Sequence, residues 1–516
     1  MEGETLPRRA ELLAAMSLAV DLGLGQPMEH LLRSCVLGTR LCDLYGLPRE
    51  RRDRVFNIAL VAWIGCHADS PEVGELFGDD ISFRRDEYAV DSRGLPRARF
   101  LLGHVVAGET PLIRGVQAAR FMVTGRRRVV DLLHSHWTSA RALSGRLGLD
   151  EELGEQLGYL FERWDGAGLP LEASGEDIPL EMRVVQLTDT LEVFLRMGGR
   201  DAAVAVARER RGTQFDPDLV DLFHAHADQV CEGVDQGDAW DLAMAHAPEE
   251  RVADRAELHD VLAALGDFAD LRSPYTAGHS RAVADLARRA GAELGLDAGA
   301  QDTLERAGLV HDLGRFGVPT VVWGRSGPLT ATEQDRVRMH PYLTERILLR
   351  VPALRDVAAL AGAHHERLDG SGYPRRATAE SLDRSARLLA TADSFQSWRE
   401  PRPHRPALDD DHAAERLRRE VNDGAVDGTV AEAVLAAAGQ RRRRRTWGPA
   451  GLTAREIEVL RLLVLGRTNR EVAQDLVISP KTARNHTEHI YTKLGVSNRV
   501  EATLFAVQHG IVPRRD

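Results

Sequence analysis

The sequence contains two copies of one pattern, and this internal repeat limits the fold more than any other feature. DGSGYP at 369–374 matches DGAGLP at 165–170 at an offset of 204 residues, and farther upstream residues 278–296 resemble residues 29–47 at an offset of 249. The offsets differ by 45 residues, so the first copy carries an insertion of that size between about 66 and 130. Both copies should therefore form the same structural unit, with the insertion added to the first.

Apolar residues recur at helical spacing inside the repeats, as at Val283, Leu286 and Ala287. Aromatic residues make up only 5% of the chain, which favours helices over a β-rich fold. We predict an all-α protein with two tandem helical domains, a linker and a small C-terminal domain, with these bounds: 1–250, 251–440, 441–450 and 451–516. The five arginines of the linker indicate either a solvated spacer or an arm that touches phosphates.

The net charge and the hydropathy of the chain limit which kinds of partner it can bind and where in the cell it can lie. A net charge of −11 excludes nucleic-acid binding over the whole surface, but it allows one basic module. The sequence has no uncharged apolar stretch of about 18 residues, which a membrane span requires. Its N-terminus does not resemble a signal peptide. We therefore expect a cytoplasmic protein without a membrane partner. Its four cysteines form no C-x-x-C pair and indicate either buried reduced thiols or a redox or metal role.

The second copy holds a set of histidines and aspartates that can bind metal. The set is His279, His311, Asp312, His340, His364, His365 and Asp393. Neutral imidazoles with carboxylates suit Fe, Mn, Zn or Ni, and a carboxylate can also bridge two ions. Two ions about 3.5–4 Å apart can hold the attacking and leaving oxygens of a phosphoryl displacement. The second copy is therefore predicted to contain a metal centre for phosphoryl chemistry.

The first copy has lost most of this set. Leu160–Phe161 replaces the histidine pair at 364–365, and Ala62–Trp63 replaces His311 and Asp312. Three polar residues are retained: His30, His136 and Asp189. Three ligands are too few for a two-metal site, so we interpret the first copy as a degenerate unit that serves in dimerisation, sensing or regulation.

The order of these residues, together with HHERLDGSGYP, resembles the HD-GYP branch of the HD metal-dependent phosphohydrolases over about 265–410. The resemblance implies an all-helical domain that hydrolyses cyclic di-GMP with two divalent transition metal ions, iron or manganese. It implies that all seven residues are metal ligands, that Asp312 bridges the ions, and that Asp312 and Arg315 act in catalysis. It also implies a substrate-binding set: Gly372, Tyr373, Arg402 and Arg405.

Three positions depart from the family pattern. Tyr275 stands where members with three metals carry a glutamate, so we expect two ions. Arg315 replaces the usual lysine, and Gln396 replaces a common acidic residue. These changes keep two alternatives open. One is a module that senses a nucleotide or a metal with little turnover, and the other is a phosphohydrolase of another nucleotide.

The last segment predicts a helix-turn-helix. Its four short helices start at capping residues such as Thr453 and Ser479. The chain has two lysines against 65 arginines, and both lysines lie in this segment. The helix that follows the turn should lie in the major groove of DNA. Its candidate DNA-binding side chains are Lys481, Thr482, Arg484, Asn485, His486 and Lys493.

Residues 452–499 closely resemble the LuxR/NarL-type DNA-binding domain. The resemblance implies that Lys481 and Thr482 contact phosphates, while Arg484, Asn485 and His486 face the groove. It also implies that Lys493 supports the backbone contacts and that the last helix dimerises. We therefore predict a homodimeric transcription regulator in which a cyclic di-GMP phosphodiesterase is joined to a DNA-binding domain.

Overall fold

Helices account for the regular structure of this protein, as the sequence predicts. A computed structural model describes the following residues: 6–67, 70–88, 90, 94–104, 111–252, 254–440, 449–476, 478–496 and 498–511. Within these ranges the chain forms α-helices and short 3-10 helices and no β-strand, which confirms the all-α class. The chain divides into two compact units, Met1–Gln440 and Arg441–Asp516. Most of the predicted linker, 441–448, lies outside the described residues.

The described part of the first repeat contains twelve α-helices. These are α1 to α12 in chain order: Arg9–Gly23, His30–Tyr45, Arg49–Val61, Ser70–Phe77, Asp80–Glu87, Gly94–His104, Pro111–Arg146, Glu151–Gln156, Leu180–Glu209, Pro217–Ala225, Ala227–Cys231 and Ala239–His246. Helices α4, α5 and α6 fall inside the insertion that the two offsets predict. The first part of α7 lies in the same range, so the residues described there are largely helical.

The second repeat contributes ten α-helices to the same unit. These are α13 to α22: Arg255–Asp270, His279–Glu293, Ala298–Val310, Thr320–Trp323, Ala331–Arg338, His340–Leu348, Arg355–Ala361, Arg384–Trp398, Asp410–Asn422 and Gly428–Ala437. Equivalent helices start in the same way. The carboxylate of Asp21 accepts a hydrogen bond from Leu31 N at 3.2 Å near the start of α2, and that of Asp270 accepts one from Ser280 N at 3.0 Å near the start of α14.

The two glycine loops quoted above also share one internal support, a buried glutamate. Glu366 accepts hydrogen bonds from the backbone N–H groups nine and eleven residues later, at 2.7 and 2.8 Å. Glu162 does the same in the first repeat, at 2.6 and 3.1 Å. A buried carboxylate with two backbone donors fixes the path of a loop. The repeats therefore share this loop even though only one keeps the histidine pair.

One continuous core of buried apolar side chains extends through both repeats. Helix α1 of the first repeat packs against the 3-10 helix Leu313–Gly317 of the second. None of the described helices combines the length and the apolar character that a membrane crossing needs.

The C-terminal unit has its own small core and four α-helices. These are α23 to α26: Ala454–Val464, Asn469–Asp475, Pro480–Leu494 and Arg499–Gln508. The predicted caps are confirmed, because Thr453 Oγ1 accepts from Glu456 N at 3.2 Å and Ser479 Oγ accepts from Thr482 N at 3.0 Å. Such caps satisfy N–H groups that the first turn of a helix leaves without partners.

The insertion of the first repeat reaches the second repeat through a buried ion pair. Arg272 Nη1 lies 3.0 Å from Asp80 Oδ2, and neither side chain is exposed. The other oxygen of Asp80 accepts hydrogen bonds from Thr320 N at 2.8 Å and Thr320 Oγ1 at 3.1 Å. Arg272 also donates to the Val318 carbonyl at 2.8 Å. Asp80 thus holds the segment that leads into α16.

We predict that Asp80→Asn lowers the free energy of unfolding by about 3–5 kcal/mol, because it leaves the Arg272 guanidinium buried without its counter-charge. Urea unfolding of the full chain measures this change. Asp221 forms an ion pair with Arg211 on the surface, so Asp221→Asn is the matched control and should leave stability nearly unchanged. Equal, small losses in the two variants would show that the buried pair does not hold the repeats together.

Candidate functional site

All seven predicted metal ligands lie together in the second repeat, on five helices. His279 and His340 are the first residues of α14 and α18, His311 and Asp312 follow α15, His364 and His365 follow α19, and Asp393 lies within α20. Six of the seven are buried, and His365 is partly exposed. The helix ends therefore gather residues that lie up to 114 positions apart in the sequence.

The backbone orients three of the histidines in one way. Nδ1 of His311, His340 and His364 donates to the carbonyl oxygen three residues earlier, at 2.8, 2.5 and 2.6 Å respectively. A carbonyl can only accept, so Nδ1 carries the proton and Nε2 keeps a lone pair. This is the tautomer in which histidine binds a metal through Nε2.

The ligand atoms form two groups, and two carboxylates face both of them. His279, His311 and Asp312 form one group and His340, His364 and His365 the other, with the atoms of each group within 4.8 Å of one another. Asp312 places Oδ1 3.3 Å from His340 Nε2 and Oδ2 3.6 Å from His311 Nε2.

Asp393 spans the two groups in the same manner. Its Oδ1 lies 3.2 Å from His279 Nε2, and its Oδ2 lies 3.6 Å from His365 Nδ1. The sequence singled out Asp312 as the bridging carboxylate, whereas the structure brings two carboxylates into position to face both groups.

This arrangement fits bound divalent cations. Nε2 of His311 is buried and has no hydrogen-bond partner. The Nε2 atoms of His340 and His364 lie 3.0 Å apart, although both rings place their proton on Nδ1. Two lone pairs at this distance repel, and a cation bound by both nitrogens removes that repulsion. Imidazole nitrogens with carboxylate oxygens suit iron, manganese, zinc or nickel.

Asp312, Asp393 and His364 are in the protonation states that bind metal. Burial would raise the pKa of Asp312, but His311 and Arg315 outweigh it and hold that pKa well below its usual range. Burial likewise opposes ionisation of Asp393, and its histidine neighbours lower its pKa all the same. Burial and two neighbouring histidines lower the pKa of His364 to about 3, so its ring is neutral. Ionised carboxylates and neutral imidazoles are the forms that bind a metal.

Arg315 lies directly on one of these carboxylates. Its Nη1 donates to Asp312 Oδ2 at 2.8 Å. Its guanidinium stacks over the ring of Trp323, with Cζ 4.2 Å from the centroid. Trp323 belongs to the segment that Asp80 holds, and its ring also meets His340 edge-on at 6.0 Å. Asp312 and Trp323 therefore fix the position of the Arg315 guanidinium from opposite directions.

A cavity of about 380 Å³ opens onto the centre. Its lining includes five of the predicted ligands, together with Arg315, Tyr373, Arg402 and Arg405. Arg402 donates to the Tyr275 carbonyl at 2.8 Å and to Glu400 Oε2 at 2.9 Å. The structure thus places this predicted substrate contact at the cavity, with its guanidinium already supported.

Arg405 and Gly372 have structural contacts of their own. The guanidinium of Arg405 donates to the carbonyls of Ser397, Trp398, Glu400 and Pro406, so it closes the loop after α20. Gly372 lies outside the cavity lining. A Cβ at Gly372 would lie 2.6 Å from Glu366 Cα, so only glycine fits there. The neighbouring Tyr373 packs its ring on His365, with 4.7 Å between centroids.

Sequence reasoning missed Glu400. Its Oε2 lies 2.9 Å from His279 Nδ1, on the ring edge opposite Asp393. Burial would lower the pKa of His279, but the hydrogen bonds to Asp393 and Glu400 raise it to about 10. Metal binding at His279 Nε2 therefore has to displace a proton. No sequence pattern indicated Glu400, because its partner lies 121 residues away.

In the first repeat, hydrogen bonds between side chains occupy the position that corresponds to the predicted metal centre. His30 bonds Glu192 Oε2 through Nδ1 at 2.5 Å and Asp189 Oδ1 through Nε2 at 3.1 Å. Trp63, which replaces Asp312, donates to the same Asp189 oxygen at 3.2 Å. Burial would lower the pKa of His30, but Glu192 and Asp189 raise it to about 10. His279 has the same two kinds of partner, so the repeats differ in the rest of the set: Leu160 and Phe161 stand where the second repeat has its histidine pair, and among the described residues no second group of ligands faces Asp189.

His136 does not join this cluster. Its Nε2–H donates to the Ala62 carbonyl at 3.1 Å, and its ring meets Phe161 edge-on at 5.0 Å. Burial lowers the pKa of His136 to about 3, so it stays neutral. The three polar residues retained by the first repeat are therefore split between an ion pair and a backbone contact.

The predicted recognition helix is α25. Its buried side chains are Ala483, Thr487 and Ile490, which pack inside the C-terminal unit. Four of the predicted DNA contacts are exposed and His486 is half-buried; the exposed four are Lys481, Thr482, Arg484 and Asn485. Arg484 Nε donates to Glu488 Oε1 at 2.9 Å, one helical turn farther along.

The sixth predicted DNA contact, Lys493, is engaged within the unit. Its Nζ donates to Glu456 Oε2 at 2.7 Å, which ties α25 to the start of α23. The same glutamate oxygen accepts from Thr453 N at 2.7 Å. Lys493 therefore holds the recognition helix in place.

Two family models match the chain. The model described as HD domain matches residues 127–219 and 263–430, so it includes parts of both repeats. The model described as bacterial regulatory proteins, luxR family, matches residues 450–506.

Curated relatives share much of the chain. The 3'3'-cGAMP-specific phosphodiesterase 3 of Vibrio cholerae is 29% identical, over 78% of this chain and 89% of its own length. A cyclic di-GMP phosphodiesterase of Pseudomonas aeruginosa is 31% identical, over 52% of this chain and 63% of its own length. The chain thus spans most of the first relative and less than two thirds of the second.

A solved structure shares the fold. The crystal structure of a cyclic GMP-AMP-specific phosphodiesterase of V. cholerae matches with a TM-score of 0.60 and 24% identity. The match covers 84% of this chain and 98% of that chain. The fold of the matched part of this chain therefore has a precedent among experimental structures.

We predict that metal binding depends on Asp393 and not on Asp189, its equivalent in the first repeat. Asp393→Ala should remove most of the bound transition metal, because that carboxylate faces both ligand groups. Asp189→Ala removes the matching side chain from a cluster that lacks both ligand groups of the second repeat, so metal content should stay at the wild-type level. Elemental analysis of the purified full chains decides this, and equal metal loss in the two variants would contradict it.

Proposed function

Because this chain belongs to the HD domain family and carries a luxR-family regulatory domain, we propose that it is a transcription regulator that hydrolyses a cyclic dinucleotide in its second repeat. The observation that carries the proposal is the pair of ligand groups spanned by Asp312 and Asp393. DNA as a partner supports a cytoplasmic location, as the sequence predicts.

Phosphodiesterases of this family are metal-dependent, and we propose two divalent ions, iron or manganese. The residues that would hold them are His279, His311, Asp312, His340, His364, His365 and Asp393. When bound, the ions supply Lewis acidity and lower the pKa of water to near neutrality. Two ions rather than three are supported by Tyr275, which offers a phenol where a third ion would need a carboxylate.

The substrate we propose is a cyclic dinucleotide with at least one guanine. Hydrolysis adds water across one P–O bond and leaves a linear dinucleotide with a phosphate monoester and a free hydroxyl. Arg315 and Arg402 would meet the phosphate or the guanine, since a guanidinium pairs with phosphate oxygens and with guanine O6 and N7. Tyr373 would line the pocket. Arg405 would support the loop that presents Arg402, and Gly372 would support the loop behind His365.

Cyclic di-GMP is the first candidate, and 3'3'-cGAMP is its direct competitor. The relative that aligns over most of this chain is named as specific for 3'3'-cGAMP, whereas several others are named for cyclic di-GMP. Both molecules carry a guanine, so the arginines discussed above suit either. An assay with both nucleotides separates them.

A second candidate function is sensing without turnover, and the contact of Arg315 with Asp312 favours it. A guanidinium 2.8 Å from Asp312 Oδ2 competes with a cation for that oxygen. A lysine ammonium is more compact and reaches the same place with fewer constraints. In this alternative the second repeat would bind the nucleotide, retain it and transmit its presence to the DNA-binding unit.

We predict that the full chain loaded with Mn²⁺ or Fe²⁺ converts cyclic di-GMP or 3'3'-cGAMP to a linear product. Asp312→Ala should abolish turnover because it removes an oxygen from each ligand group. Arg402→Ala should raise KM more than it lowers kcat if Arg402 only binds substrate. Product chromatography measures all of these.

Arg315→Lys separates the two candidate functions. If the wild type binds nucleotide but forms no product and Arg315→Lys does form product, then sensing is the function of this chain. If neither protein binds either nucleotide, the proposed substrate class is wrong. A wild type that turns over at least as fast as Arg315→Lys supports the enzyme.

For the C-terminal unit we propose that Lys481 and Thr482 contact phosphates and that Arg484, Asn485 and His486 face base edges. Lys493 would act by positioning α25 through Glu456.

We also propose that a second copy of this unit covers α26. Its Val500, Leu504 and Val507 are 69%, 58% and 55% exposed and recur at helical spacing, so they form one apolar stripe.

We predict that Arg484→Ala costs about 1–3 kcal/mol of binding to the target sequence and relaxes the preference at one position. Lys481→Ala should weaken binding to all sequences alike and flatten the salt dependence, because it removes a phosphate contact. Gel shifts over a salt series measure both variants. A Lys481→Ala protein with an unchanged salt slope and an altered sequence preference would reverse the two assignments.

Leu504→Glu tests the stripe on α26 in the same experiment. A charge in an apolar interface should leave single-site binding intact and abolish cooperative binding to paired sites. Cooperative binding at the wild-type level would exclude α26 as the dimer surface.

A further inference from the structure

Glu400 lies just beyond the end of α20, and its carboxylate connects three groups of the site. Oε2 lies 2.9 Å from Nδ1 of His279, a predicted metal ligand. The same oxygen accepts from Arg402 Nη2 at 2.9 Å. Oε1 accepts from Gln396 Nε2 at 2.8 Å. Hydrogen bonds from Gln396 and Arg402 fix the carboxylate of Glu400 in its position beside His279.

The first repeat shows which part of this arrangement is shared. His30 is the equivalent of His279, and each ring has an aspartate at Nε2, at 3.1 Å from Asp189 and 3.2 Å from Asp393. Each ring also has a glutamate at Nδ1. The glutamate beside His30 is Glu192, at 2.5 Å.

The two glutamates do not occupy equivalent positions in the sequence. The offset of 204 residues places Glu192 on Gln396, whereas the carboxylate beside His279 comes from Glu400. The carboxylate has therefore been moved by four residues, close to one helical turn. Since Gln396 already touches Glu400, a side chain at position 396 reaches the same place.

We propose that Glu400 is a positioning residue of the metal centre, which has taken over from position 396 the task of orienting the first histidine. This inference rests on the proposed function, since it requires His279 to hold a metal. A carboxylate at Nδ1 fixes the tautomer that leaves Nε2 as the ligand atom and makes that nitrogen more basic.

The exchange also accounts for the glutamine at 396. Two carboxylates 2.8 Å apart would repel each other at this partly buried position, whereas an amide donates to Glu400. The amide oxygen of Gln396, Oε1, accepts a hydrogen bond from Arg399 Nη1 at 3.3 Å. Gln396 is therefore the neutral partner that a relocated carboxylate needs.

Glu400 also links the metal to the substrate side of the pocket. Arg402 is held by Glu400 and by the Tyr275 carbonyl, and it lines the cavity. Loss of the carboxylate should thus loosen both His279 and Arg402. Arg402→Ala separates the two effects, since it leaves the Glu400 carboxylate on His279 and should therefore weaken substrate binding more than metal binding.

The test returns the carboxylate from position 400 to position 396. Glu400→Gln should weaken Mn²⁺ binding by the full chain by about 10- to 100-fold, the usual loss when such a partner of a metal ligand is removed. The double variant Gln396→Glu with Glu400→Gln restores a carboxylate at the position that the first repeat uses, and it should recover most of that affinity. Glu380→Gln alters an exposed glutamate and should have no effect. Competition with a chelator gives the Kd of each protein.

Recovery in the double variant distinguishes orientation of the ligand from a general loss of structure. Wild-type Mn²⁺ affinity in Glu400→Gln, or a double variant as weak as Glu400→Gln, would overturn the role of Glu400 while leaving the metal centre intact. A wild type that binds no Mn²⁺, Fe²⁺ or Zn²⁺ would overturn the proposed function and this inference together.

Discussion

Two buried carboxylates, Asp312 and Asp393, are the constraint on which the second repeat depends. Each places its oxygens beside both groups of imidazoles, and burying such charges is costly unless cations or hydrogen bonds compensate them. The helix ends deliver histidines whose Nδ1 protons are held by backbone carbonyls, so their lone pairs meet the carboxylates. Lone pairs and carboxylates that face one point repel each other unless a cation is bound there, so the convergence of so many helix ends supports a metal centre.

In the first repeat, hydrogen bonds within the cluster compensate the retained carboxylate. This repeat keeps Asp189 and supplies the compensating charge from within, as a protonated His30 with the indole N–H of Trp63. Its insertion contacts the second repeat through Asp80 and Arg272, next to the segment that bears Trp323. Through this contact the first repeat touches the segment that forms one wall of the pocket.

The sequence predicted the features that depend on residue types and on the spacing of neighbouring residues. The fold class followed from helical spacing and the caps at Thr453 and Ser479 from local residue types. The seven candidate ligands followed from residue chemistry and their order. Contacts between distant segments left no such pattern. Glu400 meets His279 across 121 residues and Asp80 meets Arg272 across 192, and neither pair has a motif. The role of Arg405 depends on a turn that only the folded loop defines.

Anomalous X-ray scattering from crystals of the Mn²⁺-loaded full chain tests the central claim most directly, because it locates metal without reference to activity. The claim is that the second repeat holds two ions and the first repeat holds none. The account predicts two peaks about 3.5–4 Å apart beside Asp312 and Asp393, and none beside His30. A peak of comparable height between His30 and Asp189, or none near Asp312, would contradict it.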